Sequence, residues 1–192
     1  MGRPKQFDPD AAVEKAVEIF WCKGYGGTTP QDLVDGLGVG KGSLYNTFTS
    51  KQALFEKALR RYGDRRVAGL VEVLEGSGPV RERLRAALER LVDTGLSDPY
   101  RRGCLAVNTA AEPAGADPAL GEIVRSVFDR MEAAFQAAIE EGRRHGEIDA
   151  DRDPREAASL LLSTAIGMSV VAKTADRPDR LRRVVDAVLA TL

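Results

Sequence analysis

Apolar residues recur at spacings of three and four in almost every stretch between Gly/Pro clusters, and no stretch alternates apolar and polar over a strand length. This pattern predicts an all-α protein of about nine helices. Ala12, Val13, Ala16, Val17 and Phe20 make the first stripe, with Asp8 or Asp10 to cap its start and Gly24 to stop it. Two short helices are predicted over residues 30–37 and 41–48. Ser50 then caps a longer helix through Leu54, Phe55, Ala58, Leu59 and Tyr62, which continues past Gly63 towards Leu74. The turn at Gly76, Ser77, Gly78 and Pro79 ends it.

The second half follows the same period. A helix over residues 79–96 turns Leu84, Leu88, Leu91 and Val92 inward and leaves Arg81, Arg83, Arg85 and Arg90 in solvent. A shorter helix covers residues 103–112, closed by Pro113 and Gly115. The longest runs over residues 118–144, with Ile123, Val127, Met131, Ala134, Ala138 and Ile139 at helical spacing. Of the two last helices, residues 155–174 are apolar around much of the circumference. Residues 178–192 collect Leu181, Val184, Val185, Val188 and Leu189 on one side, so this pair requires a partner surface.

Composition removes several function classes. With 43% apolar and 30% charged residues, the 192-residue chain can build a globular core without staples. Its net charge of -1 divides into +2 over the first 63 residues and -3 over the rest, a mild bias that permits a cationic face at the front. Cys22 and Cys104 stand alone, with no spacing for a disulfide framework or a zinc site, so no metal and no cofactor is expected. MGRPKQF has cations without a following apolar run and is not a secretory signal, which predicts a cytoplasmic protein. The apolar run over residues 160–172 is broken by Ser163, Thr164 and Ser169, and it falls short of the roughly 20 residues a membrane span needs. A single histidine and the lack of any nucleophile–base spacing argue against an enzyme. GVGKGS lacks the full phosphate-loop spacing and has no strand before it.

The informative run is TTPQDLVDGLGVGKGSLYNTFTSKQALF, residues 28–55. Thr29 is a natural N-cap, and Pro30 suits the first helical position. Leu33, Val34 and Leu37 form one buried stripe, Gly38 supplies the positive φ of a sharp turn, and Val39 fills the angle. Leu44 and Phe48 anchor the second helix from within. Lys41, Gly42, Ser43, Tyr45 and Asn46 then face outward, a set that a hairpin built only for packing does not need. Such a helix inserts into a DNA major groove, while Thr29, Tyr45 and Lys51 grip flanking phosphates. Arg3 and Lys5 read either as an arm that adds to the DNA contact or as a frayed terminus. A helical scaffold protein without DNA binding is the competing reading.

Residues 7–62 resemble the DNA-binding domain of the TetR family of bacterial regulators. Ala16, Phe20, Gly24, Thr28 and Thr29 carry the resemblance, followed by DLVDGLGVGKGSLYNTF and SKQALF. Val34 stands where that pattern usually has alanine, and Gly40 where serine is common. The resemblance implies a three-helix helix-turn-helix domain over residues 1–50 and a helical effector-binding and dimerisation domain over residues 51–192. It also implies a homodimer through the last two helices, which represses from a palindromic double-stranded DNA operator and is released by a small-molecule effector.

RRGCLAVNTAAE, residues 101–112, resembles a motif of one branch of that family, in which some members respond to electrophiles through a cysteine. On a continuous helix Cys104, Asn108 and Glu112 share a face, where Arg101 and Arg102 can favour a thiolate. Cys104 equally reads as an inert buried thiol. Phe128, Met131, Phe135 and Met168 read either as core or, with those three, as the lining of an effector pocket. Cys22 is expected to pack beside Trp21, and His145 to sit at a helix C-terminus.

Overall fold

The computed structural model describes residues 7–192, so Arg3 and Lys5 lie outside the described residues. Among the described residues the chain forms nine α-helices and one 3-10 turn, with no strand. Helix α1, Pro9–Gly27, is capped by the Asp8 carboxylate, which accepts from the amide of Asp10. Gly24 bends this helix rather than ending it: its φ of 71° breaks the ladder, and a last turn follows to Gly27. Helices α2 (Pro30–Leu37), α3 (Lys41–Phe48) and α4 (Lys51–Leu74) start after Thr29, Gly40 and Ser50. Then come α5 (Val80–Ser97), α6 (Leu105–Ala111), the 3-10 turn Pro113–Ala116 and α7 (Pro118–Arg144). Helices α8 (Pro154–Val171) and α9 (Asp179–Leu189) complete the chain.

Helices α1 to α3 make a small head, and α4 leaves it without a break. At ~1.5 Å of rise per residue, its 24 residues reach about 36 Å, enough to pack on α1 at one end and on α5 and α7 further along. Helix α7 lies mainly against α4 and α8, and α9 closes over α5 and α8. A single apolar cluster runs from Phe20 and Phe55 in the head to Phe135 and Ile139 in the body.

One arginine expected in solvent is inside. Arg83 is only 7% exposed. It donates through Nη1 to the carbonyl of Leu74, the last residue of α4, and through Nη2 to Glu141 of α7, each at 2.5 Å. A helix ends with carbonyls that have no intrahelical partner, and a guanidinium offers several donors in one plane. The charge of Arg83 therefore closes the C-terminus of α4, and its hydrogen bond holds the Glu141 carboxyl below the ordinary carboxylate range. Arg81, Arg85 and Arg90 stay at the surface or half-exposed, as their spacing predicts.

Helix α6 is shorter than predicted. Its first residue is Leu105, with Cys104 as an extended N-cap, and Glu112 is already extended beyond its end. The left-handed turns at Arg101 (φ 49°) and Gly103 (φ 70°) prevent an earlier start.

Candidate functional site

The head is assembled by local chemistry. Thr29 and Asp32 form a reciprocal capping box: the Thr29 hydroxyl accepts from the Asp32 amide at 3.1 Å, and Asp32 Oδ2 accepts from the Thr29 amide at 2.8 Å. Lys23, near the end of α1, pairs with the same carboxylate at 2.5 Å. Gly38 turns the chain in the left-handed region (φ 68°, ψ 32°), and its amide donates to the Val34 carbonyl. A side chain is strained in that conformation, so glycine suits the turn.

Leu33, Leu37, Leu44 and Phe48 are buried, and Val39 packs half-buried against them. Opposite Leu44 and Phe48, α3 exposes Gly42 and Asn46. Lys41 is exposed too, while Ser43 and Tyr45 are half-buried at the edges. Gly40 provides no side-chain cap, so the first amides of α3 have no side-chain acceptor. An uncapped helix start with a glycine and small polar groups beside it can approach a polyanion closely.

Two of the expected phosphate contacts are engaged within the head. Lys51 donates to the carbonyls of Tyr25 and Thr28 at 2.8 and 2.9 Å, and its ammonium lies 4.2 Å from the Tyr25 ring centroid. The carbonyls where the α1 ladder runs out draw it there. The Thr29 hydroxyl, besides accepting from the Asp32 amide, donates to Asp32 Oδ2 at 2.7 Å. Lys41, Gly42, Ser43, Tyr45 and Asn46 remain together on α3.

In the body, Cys104, Asn108 and Glu112 do not share a helical face, because α6 covers only the middle one of the three. The Asn108 amide donates to the Arg102 carbonyl at 2.8 Å, and its oxygen accepts from Lys173 at 3.1 Å. Glu112 reaches the head, where Oε2 accepts from the Gly26 amide at 3.3 Å. Gly24 gives it room: a Cβ there would lie 2.4 Å from Glu112 Oε1. Cys104 is half-buried and opens on a cleft of about 240 Å³. Asn108 and Glu112 line a different cleft of about 410 Å³.

The apolar candidates are also dispersed. Phe135 and Met168 are fully within the core. Met131 borders a void of about 90 Å³ beside Leu70 and Leu91, and Phe128 lines an outer groove of about 350 Å³ with Val124. His145 caps α7, as its position predicts, and its amide donates to Glu141 and Arg143 carbonyls.

Sequence reasoning missed the joint between head and body. Trp21 donates from its indole nitrogen to the Gly103 carbonyl at 3.1 Å. The Arg102 guanidinium lies 4.0 Å from the Trp21 ring centroid and pairs with Glu18 of α1 at 2.6 Å and Asp98 at 3.1 Å. Its Nη1 also stands 3.8 Å from Cys22 Sγ, and Cys22 is exposed rather than packed. The lone tryptophan and the paired arginines before Gly103 were the available signals. Their partners lie about 80 residues apart in sequence, beyond the reach of local periodicity.

Comparison with known proteins agrees with this geometry. Residues 12–58 match the family described as bacterial regulatory proteins, tetR family, and residues 80–188 match the tetracyclin repressor-like C-terminal domain. The chain is 34% identical to the uncharacterized HTH-type transcriptional regulator YezE of Bacillus subtilis, over all of both chains. It is 30% identical to the HTH-type transcriptional repressor ComR of Escherichia coli, covering 98% of this chain and 90% of that one. Among solved structures, a cysteine-substituted CifR, a TetR family transcriptional regulator complexed with 26-base-pair operator DNA, superposes with a TM-score of 0.87. The identity is 31% and the coverage 98% of each chain.

The capping box predicts an acid-sensitive head. Hydrogen bonds from Lys23 and from the Thr29 amide and hydroxyl hold the Asp32 carboxyl far below its ordinary value. A lowered folded-state pKa contributes stability above the unfolded value of about 4, which is lost as pH falls. Asp32→Asn should lower the melting temperature most above pH 5, and its gap to the wild type should narrow progressively as pH falls below about 4. A gap independent of pH would contradict the assignment.

Proposed function

The chain belongs to the tetR family of bacterial regulatory proteins, and from that membership we propose that it is a homodimeric repressor. It reads a palindromic operator through α3 and releases it when a small molecule enters the helical body. The chain is a transcriptional regulator and not an enzyme. Residues 1–50 form the DNA-reading domain and residues 51–192 the effector-binding and dimerisation domain. No helix among the described residues is long and apolar enough to cross a membrane, and a repressor of chromosomal DNA works in the cytoplasm.

The observation that carries this reading is the outer face of α3, where Lys41, Gly42, Ser43, Tyr45 and Asn46 stand over a helix start without a side-chain cap. Asn46 and Ser43 suit base edges in the major groove, while Lys41 and Tyr45 suit the flanking phosphates. Lys51 and Thr29 contribute by fixing the approach of α1 and α2, with their remaining exposed surface towards the backbone. That CifR, 31% identical over 98% of both chains, is solved in complex with operator DNA supports DNA binding by this chain.

Release follows from the joint. Helix α6 is preceded by Cys104, which lines one cleft, and followed by Glu112, which holds the broken turn of α1. A ligand wedged beside Trp21 shifts α1 against α6, and with it the separation of the two heads.

DNA containing the region upstream of the gene should shift in an electrophoretic assay, with affinity falling steeply as salt rises. Asn46→Ala should weaken specific binding about 10–100-fold, equivalent to ~1–3 kcal/mol for a base contact. Lys41→Ala should weaken binding to all sequences and lower the salt slope by about 1. Both variants should keep their helical circular dichroism, whereas Leu44→Ala should unfold the head. Wild-type affinity in Asn46→Ala and Lys41→Ala together would refute the face.

The dimer surface is the exposed stripe of α8 and α9, where Leu160 is 44%, Val170 50% and Val184 37% exposed. Exposed Ser163 and Gly167 between them allow close helix approach. Leu160→Asp with Val170→Asp should sediment as a monomer at micromolar concentration, and a persisting dimer would place the interface elsewhere.

Cys104 offers a second release signal, because its half-buried thiol lines a cleft and can meet an electrophile. N-ethylmaleimide should release the operator from Cys22→Ser but not from Cys104→Ser. Release from Cys104→Ser would remove Cys104 from the switch.

A further inference from the structure

The cleft between Trp21 of α1, Arg66 of α4, Leu91 of α5 and Cys104 holds about 240 Å³. Drug-sized ligands occupy about 300–1,000 Å³, so its occupant is smaller than these. Trp21, Leu91, Pro99 and Cys104 give it a mainly apolar wall.

Three charged residues line the cleft, and two of them satisfy each other. Arg102 is engaged by Asp98, Glu18 and the Trp21 ring. Asp98 accepts from the Arg102 side chain and from the amides of Tyr100 and Arg102. Arg66 is different. It is half-buried and makes no hydrogen bond or ion pair among the described residues. A guanidinium has only donors, and partial burial without an acceptor is unfavourable until an anion meets it. Arg66 and Leu91 also border the neighbouring void of about 90 Å³, so the guanidinium has space in which to turn. Beside Cys104, the buried Tyr62 hydroxyl has no partner either, and its ring stacks edge-on to Trp21 at 5.1 Å.

We propose that this cleft is the effector site and that it takes a small monocarboxylate with a short apolar body, its carboxylate paired with Arg66. One uncompensated cation matches one negative charge, and a guanidinium binds a carboxylate through two parallel hydrogen bonds. The apolar part lies against Leu91, Pro99 and the edge of Trp21. Because Trp21 belongs to the head and is bonded to Gly103, occupancy acts directly on the joint. The assignment rests on the reading of the chain as an effector-responsive regulator, but its test is made on the free protein, so a failure of DNA binding is separately visible.

Trp21 is the only tryptophan in the chain, so intrinsic fluorescence reports on the cleft. Benzoate and hexanoate, each titrated against its neutral amide, should give saturable changes with the amide at least about tenfold weaker. Arg66→Gln should reduce the affinity for the acids at least about tenfold, leave the amides unchanged and retain operator binding, while Arg66→Lys should recover part of the loss. A charged pair contributing about 1.4 kcal/mol corresponds to that tenfold change. No saturable response to either acid, equal binding of acids and amides, or full acid affinity in a folded Arg66→Gln would overturn the proposal. Should Arg66→Gln lose helicity, the comparison of acids with amides on the wild type decides alone.

Discussion

Phe20 of α1 and Phe55 of α4 are both fully buried, with rings edge-on at 4.8 Å, and they join α1 to α4 within the head. Edge-to-face aromatic packing contributes about 0.5–1.5 kcal/mol beyond the area it buries. Tyr25 extends the same stack to Phe55 at 4.9 Å, and Lys51 sits over Tyr25 while binding the last carbonyls of α1. The start of α4 is thereby fixed to the end of α1. Helices α2 and α3 are then set by the capping box at Thr29 and the turn at Gly38, and the outer face of α3 has one orientation.

The same two helices carry that orientation into the body. Helix α4 continues towards α5 and α7, where Arg83 closes its far end. Helix α1 is held from the side by Arg102, Gly103 and Glu112. The left-handed Gly24 is the point where the two requirements meet. It bends α1 so that the last turn reaches Lys51, and it leaves the space into which the Glu112 carboxylate fits. An effector that alters the Trp21–Arg102 contact therefore acts on an element already bent and bonded to the body. Coupling of this kind needs a displacement of packed neighbours rather than a long pathway.

The head was legible in the sequence because its determinants are local. Thr29 and Pro30 start α2, Gly38 ends it, and Leu44 and Phe48 anchor α3 four residues apart, each relation falling within a single turn or cap. The all-α class and the exposed outer face of α3 followed from the same short-range periodicity. The body was legible as helices but not as a site. Cys104, Asn108 and Glu112 fit a helical face only if the helix is continuous, and the left-handed backbone at residues 101 and 103 ends that continuity. Arg83 shows the same limit: its place in the helical pattern does not reveal that the end of α4 lies beside it. Trp21 and Arg102 acquire their roles from partners far away in the sequence, and such contacts leave no spacing to read.

The most direct test of the central claim, that the outer face of α3 enters the major groove from each half of a dimer, is guanine-N7 methylation interference on the operator. The account predicts two clusters of interfering guanines on one face of the duplex, separated by about one helical turn or a multiple of it. Interference confined to a single cluster, or no guanine-N7 interference on an operator that binds specifically, would contradict it.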